Sequence, residues 1–122
     1  MDARYVFTVR FRLEPSTDVE LDPDEFETRL TRPADDPGEE GWLFFRDNLW
    51  RGELADEAYF RQLAEDALDV TVLAVDYRSL DADEAYYEAL QEEIAENLDL
   101  FKADSTTEVL NKYLGSSVEL RD

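Results

Sequence analysis

From residue 4 to residue 13 the chain alternates without a break. Tyr5, Phe7, Val9, Phe11 and Leu13 fall on one side, and Arg4, Val6, Thr8, Arg10 and Arg12 on the other. A period of two over this length predicts a strand with one face in a core. Pro15-Ser16-Thr17-Asp18 ends it. After an acidic connector containing Pro23, Phe26, Thr28 and Leu30 alternate with Glu27, Arg29 and Thr31, predicting a second, weaker strand. Residues 33–41 hold two prolines and two glycines among acids and read as a loop. Trp42-Leu43-Phe44-Phe45 follows, four bulky apolar side chains that do not alternate. Read as a third strand running to about Arg46, this stretch shows an apolar surface on both faces. One face can pack on the domain's own helices, and the other needs a cover.

The pattern then changes period. Phe60, Leu63, Ala64, Ala67 and Leu68 recur at three and four, predicting a helix over 54–68 with Asp56 and Glu57 in its first turn, where the helix dipole favours negative charge. Val70 to Tyr77 is β-rich and predicts a fourth strand. Asp81, with Glu84 three residues on, predicts the capped start of a long helix whose buried stripe is Tyr87, Leu90, Ile94, Leu98 and Phe101. Ser105 and Glu108 repeat the capping logic for a short helix that Gly115 stops, and Ser117 to Leu120 adds an edge strand. The pentapeptide Ala-Asp-Glu-Ala-Tyr at 55–59 and again at 82–86 reads as two helix starts sharing one capping chemistry.

The resulting order is β-β-β-α-β-α-α-β. Consecutive strands favour antiparallel pairing, so the expected class is α+β: an open two-layer sandwich in which a mainly antiparallel sheet of four to five strands carries two or three helices on one face. At 122 residues this is a single domain over 1–122, long enough to bury roughly two thirds of its unfolded surface.

Charge alters the picture of where such a domain works. The chain carries 32 carboxylates against 12 cations, a formal charge of −20, and only Lys102 and Lys112 among the cations are lysines. Two surface carboxylates about 7 Å apart repel by roughly 0.6 kcal/mol in water, and a Debye length of about 3 Å at 1 M salt removes most of that. Carboxylates that hold water and hydrated monovalent cations at the surface exchange self-repulsion for solubility. The expectation is a halophilic cytoplasmic protein.

The chain has no cysteine and no histidine. Thiolate zinc sites, thiol nucleophiles, the Ser-His-acid triad and imidazole metal sites are therefore excluded. Met1-Asp2-Ala3-Arg4 is not followed by a leader-like apolar run, and no segment approaches the roughly 20 apolar residues of a membrane span. Asp18, Glu20, Asp22 and Asp24 alternate like calcium ligands. However, the sixth loop position lacks glycine and the twelfth is Arg29, so this is not an EF-hand. No cofactor and no metal site is expected.

Leu49-Trp50-Arg51, in the setting Trp-Leu-Phe-Phe-Arg-Asp-Asn-Leu-Trp-Arg-Gly-Glu from Trp42 to Glu53, resembles the small haloarchaeal proteins called LWR-salt proteins. The likeness extends to Arg-Pro-Ala-Asp-Asp-Pro-Gly at 32–38 and Lys-Tyr-Leu-Gly-Ser-Ser at 112–117. What the resemblance implies is a salt-adapted host; it supplies no catalytic residues.

Two constellations could carry function. Trp42, Phe44, Arg46, Leu49, Trp50 and Arg51 combine aromatics with arginine, the make-up of binding hot spots, and form a candidate docking surface for a protein partner or a symmetric dimer. The competing reading places the same rings in the core. Arg10, Arg12 and Arg29, aligned on the outward strand faces beside Trp42 or Phe44, form a candidate anion or nucleic-acid stripe. The competing reading there is cross-strand pairing with Glu14, Glu27 or Asp47. A charge of −20 disfavours nucleic acid. A carboxylate-based enzyme is the third class, which this many acids neither supports nor rejects. The leading expectation is a non-catalytic interaction module.

The salt reading has a direct check. Far-UV circular dichroism should show native structure at about 2 M potassium chloride and its cooperative loss as salt falls toward about 10 mM. Undiminished structure at the low end would overturn it.

Overall fold

In the computed structural model, residues 1–15 and 18–121 are described. Strand β1 (Ala3–Arg12) pairs antiparallel with both β2 (Glu25–Pro33) and β5 (Thr71–Ala82), and β5 takes β6 (Val118–Leu120) in parallel. The sheet order is β2-β1-β5-β6, and a separate two-stranded ribbon is formed by β3 (Leu49–Trp50) and β4 (Glu53–Leu54). Helices α1 (Phe44–Asn48), α2 (Glu57–Leu68), α3 (Glu84–Glu96) and α4 (Thr106–Val109) complete the domain. A 3-10 turn at Leu98–Phe101 follows α3, and α4 runs on into a π turn at Leu110–Leu114. The class is α+β with a four-stranded, mostly antiparallel sheet, as the hydrophobic periods predict. The turn expected at Pro15-Ser16-Thr17-Asp18 includes Ser16 and Thr17, which lie outside the described residues.

Three expectations need correction. The third strand does not exist: Trp42 stands in a turn and Phe44 opens α1. Trp42, Phe45 and Leu49 are the buried residues, at 8%, 0% and 2% exposure. Their spacing of three and four is helical, and it is the signal that the run of apolar residues obscured. Second, the fourth strand runs on to Ala82, so Asp81 is a strand residue and Asp83 is the N-cap of α3, accepting the Tyr86 N–H at 2.8 Å. Asp56 caps α2 by accepting the Tyr59 N–H at 3.1 Å. The repeated pentapeptide is thus two N-caps of one kind. Third, the buried stripe of α3 is Tyr86, Leu90 and Ile94, with Tyr87 only half-buried.

The core lies on one side of the sheet. Tyr5, Phe7 and Val9 of β1 meet Val72, Val75, Tyr77 and Leu80 of β5 beneath Phe60 and Ala64 of α2 and the α3 stripe. A second aromatic group joins it under the C-terminal segment, where Phe45 stacks on Phe101 at 5.7 Å and Tyr113 meets Phe45 edge-on at 6.1 Å. The opposite face of the sheet carries charge. Arg4, Arg10 and Arg12 of β1 and Arg29 of β2 share it with Thr8, whose Oγ1 accepts the Arg78 Nε–H at 2.7 Å. Val6 on this face is 4% exposed yet outside the core cluster.

Three tyrosines are buried with their hydroxyls. Tyr86 donates to the Asp35 carbonyl at 2.8 Å, and Tyr77 shares a hydrogen bond with Ser117 Oγ at 2.9 Å. Loss of solvent pushes Tyr5, Tyr77 and Tyr86 well above the ordinary 10.0. A raised folded pKa holds its stabilisation below the unfolded value and loses it as pH climbs toward the folded one. The contribution of these three tyrosines should therefore be constant in pH up to about 10 and be lost above it. In an ultraviolet titration the phenolate signal of these three should appear in one step with unfolding. Ionisation of all six tyrosines near 10 with the fold intact would contradict this burial.

Candidate functional site

The sequence-predicted residues divide by depth. Trp42 and Leu49 are buried, and Phe44 is half-buried, 4.6 Å from Tyr5 and capped by the Arg32 guanidinium at 4.6 Å. Arg46 pairs with Asp47 at 2.9 Å and points one guanidinium nitrogen at the Leu100 carbonyl, 3.5 Å away. Only Trp50, at 47% exposure, and Arg51 face solvent. The expected aromatic sheet surface is therefore absent, because Trp42 and Phe44 belong to the side of the sheet that the helices cover. Arg10, Arg12 and Arg29 lie on the other face, and the structure does not bring them to Trp42 or Phe44. Arg12 stands 3.9 Å from Asp24 and 4.0 Å from Glu25, the cross-strand pairing considered for this face, although with other acids than expected. Arg4, Arg10 and Arg29 have no carboxylate within 4.0 Å among the described residues.

Leu49-Trp50-Arg51-Gly52 acquires a definite shape. β3 and β4 pair Trp50 with Glu53, leaving Arg51 and Gly52 as a two-residue hairpin turn with φ of 52° and 80°. Positive φ at both central positions is the turn that matches strand twist, and it favours Asn-Gly or Gly-Gly. The turn's two N–H groups point away from the ribbon. Arg51 N–H donates to the Lys112 carbonyl at 2.8 Å and Gly52 N–H to the Tyr113 carbonyl at 2.9 Å. Those carbonyls belong to the last turn of the α4–π segment, where no further helical donors remain. The backbones touch. A Cβ on Gly52 would stand 3.1 Å from the Leu114 oxygen, and one on Gly115 would stand 3.3 Å from the Arg51 oxygen.

Each residue of the tripeptide thus has its own place. Leu49 anchors the ribbon in the core, and Trp50 stands edge-on to Tyr113 at 5.9 Å. Arg51 occupies the corner, its guanidinium 5.7 Å from the centre of the Trp50 ring. A side chain in the left-handed region costs of order 1 kcal/mol, which glycine at this position would avoid. Lys112 lies beside them, its Nζ 5.5 Å from the Tyr113 ring and 2.9 Å from the Phe101 carbonyl. Lys102, the other lysine, directly follows Phe101 and is itself left-handed at φ 51°. Trp50, Arg51, Glu108, Asn111 and Lys112 line a shallow, open depression of about 570 Å³. Among the described residues no group of three or more acids is placed to hold a metal ion, and no helix is long and apolar enough to cross a membrane. Sequence reasoning notes that lysine is scarce but does not bring Lys112 to Trp50 and Arg51, since nothing in the local pattern joins positions 50 and 112.

Rigid docking of this turn has a measurable consequence. Gly52→Ala forces a Cβ toward the Leu114 oxygen at a positive φ, and should destabilise the fold by roughly 1–3 kcal/mol in urea denaturation at high salt. An unchanged midpoint would mean that the turn is not held against the helix end.

Comparisons with curated proteins and with solved structures gave no match. The family model for LWR-salt proteins matches residues 1–122, in agreement with the sequence resemblance. The chain belongs to the LWR-salt protein family.

Proposed function

We propose that the chain is a non-catalytic interaction module whose docking element is the Trp50–Arg51 hairpin tip, with a protein partner offering a carboxylate beside an apolar side chain. The observation that carries this reading is the strained placement of Arg51. A long cationic side chain occupies a corner that suits glycine, and it stands over an indole that is 47% exposed. Tryptophan and arginine on a rigid support are the residues that dominate binding energy at interfaces. Lys112 adds positive charge beside them. With Glu108 in the same depression and Glu53 across the ribbon the tip is balanced in charge, in contrast to the acid excess of a −20 molecule. Trp42, Phe44 and Leu49 act in this reading as anchors that fix the hairpin, and Arg46 braces the Leu100 carbonyl. The acid excess supports a cytoplasmic, salt-adapted setting, in which hydrated cations screen the rest of the surface.

A second reading rests on Arg4, Arg10 and Arg29, which share the outer sheet face and have no carboxylate within 4.0 Å among the described residues, although Glu27 stands across the ladder from Arg10 and Asp81 from Arg4. Such a face can take an anion. One experiment tests both readings. The chain and its Trp50→Ala, Arg51→Gly and Arg10→Gln/Arg29→Gln variants are used as bait in an extract of the producing organism at about 2 M salt. Loss of the specifically bound protein in the first two variants, with their circular dichroism unchanged, is the expected outcome. Loss only in the third would transfer function to the sheet face, and equal capture by all four would end the hairpin reading.

A further inference from the structure

The sheet has two edges of unequal kind. β6 contributes three residues, whereas β2 contributes nine and pairs with β1 without a register shift. Edge strands are ordinarily blunted by charged side chains, above all lysine, by internal proline or by bulges. β2 has no lysine and no bulge, and its proline comes at its end. Its charges, Glu25, Glu27, Arg29 and Arg32, are of both signs, so that a second copy can pair them rather than be repelled. The hydrogen bonds from Leu13 N–H to the Asp24 carbonyl and from Ala34 N–H to the Ala3 carbonyl set the phase of the ladder. In an antiparallel pair alternate residues bond across it, so Phe26, Thr28 and Leu30 point their backbone groups at β1. Glu25, Glu27, Arg29 and Thr31 then direct theirs outward, and all four are exposed.

We infer that β2 pairs antiparallel with β2 of a second copy of this chain, about a two-fold axis through Thr28. Charge selects the register. Centring on Thr28 sets Glu27 opposite Arg29 of the second copy and Arg29 opposite its Glu27, in the positions that exchange backbone hydrogen bonds. The neighbouring two-fold registers, centred on Glu27 or on Arg29, set like charges face to face. On the helix-covered side, the same pairing sets Phe26 opposite Leu30 twice, and Phe26 is now 37% exposed with only Phe11 stacked on it at 5.8 Å. Asp24 comes opposite Arg32, which has no carboxylate within 4.0 Å among the described residues. The product is one continuous eight-stranded sheet with both helical layers on the same side. It leaves the Trp50 corner free and does not depend on the function proposed for it.

The chain has no cysteine, so a single introduced thiol reports the register. At about 2 M salt under mild oxidation, Thr28→Cys should form a covalent dimer. Thr31→Cys, which lies opposite Glu25 and about 20 Å from its own counterpart in this pairing, should not. Light scattering should show Glu27→Arg and Arg29→Glu each weakening the dimer by about tenfold or more, and their equimolar mixture restoring it, since opposite charges then face each other again. Circular dichroism of each variant separates loss of pairing from loss of fold. A strict monomer, a dimer cross-linked through Thr31→Cys but not Thr28→Cys, or a mixture no stronger than either charge variant would overturn the inference. Trp50→Ala should leave the dimer intact, so failure of the hairpin proposal and failure of this one give different results.

Discussion

Two backbone hydrogen bonds organise the candidate site, those from Arg51 and Gly52 to the carbonyls of Lys112 and Tyr113. They join a hairpin near the middle of the chain to the end of its last helical segment. Both partners are groups that local structure leaves unsatisfied, namely the outward N–H pair of a tight turn and the terminal carbonyls of a helix. Contact this close excludes side chains at the meeting point, which is why Gly52 and Gly115 face each other there. The Phe45, Phe101 and Tyr113 rings fill the space beneath, so helix α1, the 3-10 turn and the C-terminal segment come together as one packed unit.

That arrangement makes the surface above it rigid. Trp50 rests edge-on against Tyr113, whose own carbonyl receives Gly52, so the indole and the turn share one support. Two cations of this unit each have a backbone acceptor: Arg46 at the Leu100 carbonyl and Lys112, which lines the depression beside Trp50, at the Phe101 carbonyl. Positive charge at a helix end is also the sign that the dipole favours.

The sheet solves a different problem. One face is closed by helices, and the other is closed by its own charged side chains, with Arg78 reaching over Thr8 and Arg121 over the nearly buried Asp81 at 3.2 Å. No second layer is needed where arginine stems cover the strand backbone and their heads stay wet. The uncovered apolar face that a strand at Trp42–Arg46 would create never arises. Trp42, in the turn before α1, and Phe45, on α1, turn inward instead.

The alternation of β1 and β2 and the three-and-four spacing of α2 and α3 were legible in the sequence, because each depends on residues a few positions apart. So was the α+β class. That the two pentapeptides start helices was legible too, but the sequence pattern puts the cap of α3 at Asp81, two residues before the Asp83 that serves. The helical turn at Phe44–Asn48 was misread because four apolar neighbours mask a spacing of three and four when nothing shows which of them is buried. The separation of Arg10, Arg12 and Arg29 from the aromatics was not legible, since period two assigns a residue to a face but not that face to a neighbour. The sequence by itself determined the α+β class, the long strands and helices with a clean period, the charge and the absence of thiol and imidazole chemistry. Only the tertiary structure decided that Leu49 is an anchor, Trp50 a rim and Arg51 a strained corner, because those roles depend on a contact with Lys112 and Tyr113 some sixty residues away that no local pattern encodes.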